Sequence, residues 1–233
     1  MPLLVDPALP EGTLRNLPQP RLTTTDGSTQ RPWRHDGLTP RSSQHDGLTP
    51  RPSQHDGSAR RPSQHDGLTL RPWQHDDADA LLTAFACPEI QRWHVRRLDT
   101  LEEAVEWVGQ WAERWETETA ASWAVVDGDD QPLGQIGLRN ISLAEGSASL
   151  SYWVTPAARG RSIAARSVQA LSAWAFESIG FHRLNIQHST ANSASCRVAE
   201  RTGYRAEGTL RQAIKHADGW HGWHLHGRLR TDG

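Results

Sequence analysis

Two stretches of this chain carry residue types whose order could do chemistry. In the first, an apolar run ending at Tyr152-Trp153-Val154 is followed by a small basic loop, Ala157-Ala158-Arg159-Gly160-Arg161, and then by Ser162-Ile163-Ala164, which opens an amphipathic segment. A strand, a basic turn and a helix N-terminus in that order make an anion site. The first amides of a helix lack partners within it and carry the positive end of its dipole. Arg159 and Arg161 add full charges, and Gly160 lets backbone approach a bulky ligand. On these residues alone the stretch also fits an ordinary strand-to-helix turn with solvated arginines. The second stretch is Asn192-Ser193-Ala194-Ser195, which opens a short helix. Taken alone, Asn192 fits a helix N-cap and Ser195 a first-turn serine.

Other reactive side chains carry less. His224 and His226 face one way on an expected strand, with His221 nearby, but zinc needs a third ligand of suitable geometry, so no metal is expected. Cys196 lies at a helix start, where a thiol pKa can fall; it reads as a small helix residue. The two cysteines, Cys87 and Cys196, lie far apart in the sequence and read as reduced thiols.

The elements that must position these groups run from Leu68 onward. Leu68 and Leu70 alternate as in a strand, and Asp76 or Asp77 can cap a helix over residues 78–85. Thr100-Leu101-Glu102-Glu103 is a capping box opening a longer helix. There Ala104, Val108, Trp111 and Trp115 recur at helical spacing and read as core rather than as a cleft wall. Strands are expected over 122–126, 133–138 and 147–154, antiparallel because short turns join them. The helix after the basic loop ends near Gly180, and residues 181–187 form the next strand. The short helix closed by Gly203 leads to a hairpin of strands over 204–214 and 220–229. Two strand-to-helix crossings in succession imply a parallel pair, with a ligand crevice at its carboxyl ends.

Residues 1–67 read differently. From Asp26 a ten-residue unit recurs, carrying His35-Asp36, His45-Asp46, His55-Asp56 and His65-Asp66. It copies the sequence that leads into the first strand, and its Pro, Gly, Ser, Arg and Asp cannot build a core. A disordered or extended tail is expected there, with the domain spanning 68–233. A net charge of −2 argues against a nucleic-acid binder. No run approaches about 18 apolar residues, so no membrane partner is expected and a cytoplasmic protein is the default.

The order LRPW, helix, capping-box helix, SYWVTPAARGRSIA, NSASCRVAERTGY and RAEGTLR resembles the GNAT superfamily of acyl-CoA-dependent N-acyltransferases, in its Rim-type branch, whose members acetylate N-terminal amines of ribosomal proteins and other amines. The resemblance covers about Leu68 to the C-terminus. It implies an α/β (α+β) fold, a mixed and mostly antiparallel sheet with helices on both faces, and acetyl-CoA as co-substrate. Arg159, Gly160, Arg161, Ser162, Ile163 and Ala164 fall on the family's pyrophosphate loop, although Ser162 stands where glycine is usual. Tyr152, Trp153 and Val154 would pair with the pantetheine arm, and Asn192 would hydrogen-bond it. Ser195 falls where the branch places a serine that protonates the departing thiolate.

The implied reaction is direct attack of a neutral amine on the thioester, the acceptor being a protein N-terminus or a small-molecule amine. The branch's usual glutamate base is Ser149 here, leaving Glu145, His182 and His188 as substitutes. An α-amine near pKa 8 is about a tenth neutral at pH 7, a lysine amine near 10.4 only about four parts in ten thousand. A weak base therefore suits an α-amine. A non-catalytic acyl-CoA-binding protein on the same scaffold is the alternative. Trp220 and Trp223 on the last hairpin offer a surface for a homodimer.

Overall fold

The fold is known from a computed structural model, which describes residues 6–24, 67–94 and 97–232. Its frame is an eight-stranded sheet built from β1 (Leu22–Thr24), β2 (Leu68–Pro72), β3 (Ala121–Val126), β4 (Pro132–Ser142), β5 (Ser147–Val154), β6 (Arg183–Ser189), β7 (Arg205–His216) and β8 (Gly219–Leu229). The spatial order is β1-β2-β3-β4-β5-β6-β8-β7, and every neighbouring pair is antiparallel except β5 and β6.

Period-two alternation divides β3 between two cores. Ala121, Trp123 and Val125 face one, Ala124 and Val126 the other, and all are buried. Helices α1 (Ala78–Phe85) and α3 (Leu101–Glu116) close the second core, with a single turn, α2 (Pro88–Gln91), between them. Helices α4 (Ile163–Ala173) and α5 (Ser193–Arg201) lie on the first. The capping box at Thr100 forms as its sequence predicts: Thr100 Oγ1 accepts from Glu103 N, and the Glu103 carboxylate accepts from Thr100 N. Past Ala173 the helix widens into π turns over Trp174–Ile179 and ends at Gly180, whose φ of +91° few other residues adopt.

The expected tail does not hold over residues 6–24. Leu9 and Leu14 are buried in the first core, and β1 pairs with β2 from Leu22↔Leu70 to Thr24↔Leu68. The indoles of Trp115 and Trp123 donate to the carbonyls of Leu17 and Pro20. Buried Glu118 receives the backbone N–H groups of Gly12, Leu14 and Arg15. Burial alone would raise its pKa, but these amide donors outweigh it and hold the carboxyl below its usual value. Two leucines and a set of main-chain donors dock this segment, which is why composition alone reads it as a tail. The ten-residue repeats lie outside the described residues.

Glu118→Gln should therefore destabilise the fold by about 2 kcal/mol in urea unfolding at pH 7, since charge-assisted hydrogen bonds become neutral ones. The difference between wild type and variant should be full above the ordinary glutamate pKa and disappear as pH falls through the lowered folded value.

Candidate active site

The two parallel strands part company halfway along. β5 and β6 pair only from Ser147↔Arg183 to Leu150↔Ile186. Beyond that point β5 continues against β4 as far as Gly134↔Val154, and β6 continues against β8 as far as Ser189↔Trp223. A cavity of about 570 Å³ opens where they separate, lined by Ser151, Tyr152 and Trp153 on one side and Gln187, His188 and Ser189 on the other. This is the crevice expected at the carboxyl ends of the parallel pair.

Asn192 and Ser195 also line it. Asn192 is the N-cap of α5, its Oδ1 accepting from Ser195 N at 3.0 Å. The cap orients the first turn, and Ser195 Oγ lies 2.7 Å from the Tyr152 hydroxyl. Burial pushes the Tyr152 phenol up to about 12, partly countered by its bond to Ser195, so it keeps its proton at neutral pH. That pairing of strand and helix hydroxyls was not visible in the sequence. Cys196 does not have the lowered thiol pKa that a helix start suggests: burial and then the Glu200 carboxylate push it up.

The basic loop lies outside the cavity lining but is tied to the same helix, since Arg201 Nη2 donates to Ser162 Oγ at 3.4 Å. The first helical bond of α4 runs from Arg166 N to Ser162 O at 3.0 Å, so the amides of Ile163, Ala164 and Ala165 precede any helical acceptor. Gly160 has φ +81° and Ser162 has φ 56°, so both hold the left-handed backbone that favours glycine. Arg159 Nε donates back to the Val154 carbonyl at 3.3 Å.

The far wall comes from the tryptophan helix. Trp107, Gln110, Trp111 and Arg114 of α3 line the cavity, although Trp111 is also core, so the stripe serves both purposes. Arg139 of β4 lies 4.4 Å over the Trp111 ring and donates to the carbonyls of Ala121 and Leu138. Burial and neighbouring Arg114 push its guanidinium down to about 9, leaving it charged at pH 7. No carboxylate is among the lining residues, and among the described residues neither Arg114 nor Arg139 forms an ion pair. Of the substitute bases, His188 lines the cavity while Glu145 and His182 do not. His94 and His216 line it as well, and the sequence offered no signal for either. His94 Nδ1 lies 2.7 Å from the Ile90 carbonyl, which can only accept, so a neutral His94 carries its lone pair on Nε2. Burial lowers its pKa and keeps it neutral.

Residues 67–205 match the acetyltransferase (GNAT) domain family, more than half of the 233 residues. The chain belongs to the GNAT acetyltransferase family. Acetyltransferases of this family take the acetyl group from acetyl-CoA. The uncharacterized N-acetyltransferase YoaA of Bacillus subtilis is 25% identical over 138 residues, which span 58% of this chain and 78% of YoaA. Many solved structures share the fold, two of them as follows. RimL, the ribosomal L7/L12 alpha-N-protein acetyltransferase in complex with coenzyme A, has 21% identity and a TM-score of 0.66, over 70% of this chain and 93% of its own. Mycobacterium smegmatis RimJ, in complex with CoA-disulfide, has 20% identity and a TM-score of 0.66, over 70% and 82%. Among the described residues no helix is long and apolar enough to cross a membrane.

Ser162→Gly should retain acetyl-CoA binding in isothermal titration. Ser162→Val should weaken it at least about tenfold, because a β-branched residue resists the left-handed backbone that presents the loop amides.

Proposed function

We propose that this acetyltransferase acts on a primary amine of low pKa, a peptide N-terminal α-amine or a small-molecule amine, by direct attack within a ternary complex. The observation that carries the choice is the charge of the cavity: two arginines and no carboxylate. A nearby positive charge disfavours the protonated amine and lowers its pKa, so a neutral nucleophile forms without a strong base. The same arginines favour an acceptor that also bears an anionic group, such as a peptide with an acidic residue near its N-terminus.

Acetyl-CoA would lie across the parted strands. Its pyrophosphate would meet the amides that follow Gly160, with Arg159 and Arg161 beside it. The pantetheine amides would take the main-chain places vacated past Leu150, along Tyr152, Trp153 and Val154, with Asn192 at hand. The amine attacks the thioester carbonyl, and its released proton passes to His94, whose Nε2 is unprotonated. As the carbon–sulfur bond breaks, Ser195, held by the Tyr152 hydroxyl, donates its proton to the thiolate, and the proton held by His94 then passes through solvent to restore the Ser195 hydroxyl. A dedicated acyl-CoA-binding protein would have no use for this hydroxyl pair.

In a free-thiol release assay with acetyl-CoA, Ser195→Ala should lower kcat about a hundredfold with little change in the KM for acetyl-CoA. Tyr152→Phe should lower it less, and the double variant no more than Ser195→Ala, since the two act as one unit. Acetyl-CoA binding without thiol release on any amine would overturn the reading.

Peptides bearing a free N-terminus should turn over faster than lysine side chains, and acidic peptides faster than neutral ones. Arg139→Gln should raise the KM of an acidic acceptor about tenfold or more and leave that of acetyl-CoA unchanged, the scale of one lost charged hydrogen bond. Equal turnover of lysine and α-amine substrates would rule out the acceptor class.

A further inference from the structure

We propose that His188, Cys196, His224 and His226 form a binding site for a zinc-type divalent metal ion, pinning the helix that carries Ser195 to the sheet. The four come from three elements. Antiparallel pairing of β6 with β8 sets His188 opposite His224, and His226 lies two residues on, so it shares that face of the sheet. α5 packs over this face and brings Cys196 from its first turn. One ligand atom from each of the four lies within 4.8 Å of all the others.

Two of the separations are close to what a tetrahedral site needs. His188 Nε2 and His226 Nε2 are 3.2 Å apart, and Cys196 Sγ is 3.9 Å from His226 Nε2. Zinc–nitrogen bonds of about 2.0–2.1 Å and zinc–sulfur bonds of about 2.3 Å place tetrahedral ligand atoms roughly 3.3–3.6 Å apart. The ligands converge with small side-chain adjustments.

The hydrogen bonding of His188 is that of a metal ligand. Its Nδ1 lies 2.9 Å from the Ser189 carbonyl, which can only accept, so Nδ1 carries the proton and Nε2 points its lone pair into the cluster. Three imidazoles and a thiolate suit zinc and related transition metals, whereas magnesium and calcium prefer oxygen ligands. Binding would replace the Cys196 S–H by a sulfur–metal bond, the proton leaving to solvent. The Glu200 carboxylate, 3.6 Å from Sγ, would offset the remaining positive charge.

His188 and Ser195 line the acyl cavity, so the ion would sit beside the site already described. Acetyl transfer as set out above passes through no metal. The ion's part is to hold the first turn of α5 against β6 and β8.

The test uses the full chain, stripped with a chelator and titrated with Zn²⁺ against a chromophoric indicator, then with Co²⁺. One tightly bound ion per chain is expected. The Co²⁺ form should show the intense visible absorption of tetrahedral cobalt and a near-ultraviolet thiolate-to-cobalt band. Cys196→Ser should abolish that band, and His224→Asn or His226→Asn should weaken Zn²⁺ binding at least about a hundredfold, no less than the loss of an outer-shell partner costs. Cys87→Ser should change nothing. Zn²⁺ should also raise the unfolding temperature of the wild type and not that of Cys196→Ser. Binding that survives Cys196→Ser unaltered would come from other histidines, such as those of the repeats, and would overturn the proposal. So would a pale octahedral cobalt spectrum, or no binding at all, in the wild type. These readouts involve no acyl transfer, so their failure leaves the proposed reaction standing.

Discussion

The separation of β5 from β6 after Leu150↔Ile186 is the constraint on which the rest depends. Strands in mid-sheet normally satisfy each other's main-chain groups, and leaving such groups unpaired away from water is costly. Here each strand keeps its outer partner, β4 or β8, while the inner edges are left to line a cavity. An extended ligand with amide groups can occupy that gap as a strand would. The same parting brings β5, β6 and the start of α5 around one space, so Tyr152 meets Ser195.

Charge makes the second half of the site. As the proposed acceptor site, a cavity that contains arginine and no carboxylate looks miscast if the acceptor is pictured as an ammonium ion. It is consistent once the reacting species is the neutral amine. Arg139 is held by two backbone carbonyls and by the face of Trp111, so its position does not rely on an acidic partner. The tryptophans of α3 therefore hold the core together and also set the electrostatics of the wall.

Much of the frame could be read in advance because its signals are local. The capping box at Thr100 and the 3.6-residue spacing of Ala104, Val108 and Trp111 each act within a few residues. The basic loop and the Asn192 cap are local too, and both formed as their sequences suggested. The segment 6–24 escaped because its anchors lie about a hundred residues away, at Glu118, Ser122 and Trp123. A run rich in proline and poor in periodic apolar residues gives no hint that another element will supply its hydrogen bonds.

Local chemistry was thus decided by the order of residues: where a helix must start, which amides it leaves unpaired, and which serine follows its cap. Convergence was decided by folding. Tyr152 against Ser195, Arg139 over Trp111, and His188 with Cys196, His224 and His226 each join residues from strands and helices distant in the chain. Strand order and register govern those meetings, and the residues that set a register are the buried ones facing the core, not the polar ones whose encounter it arranges.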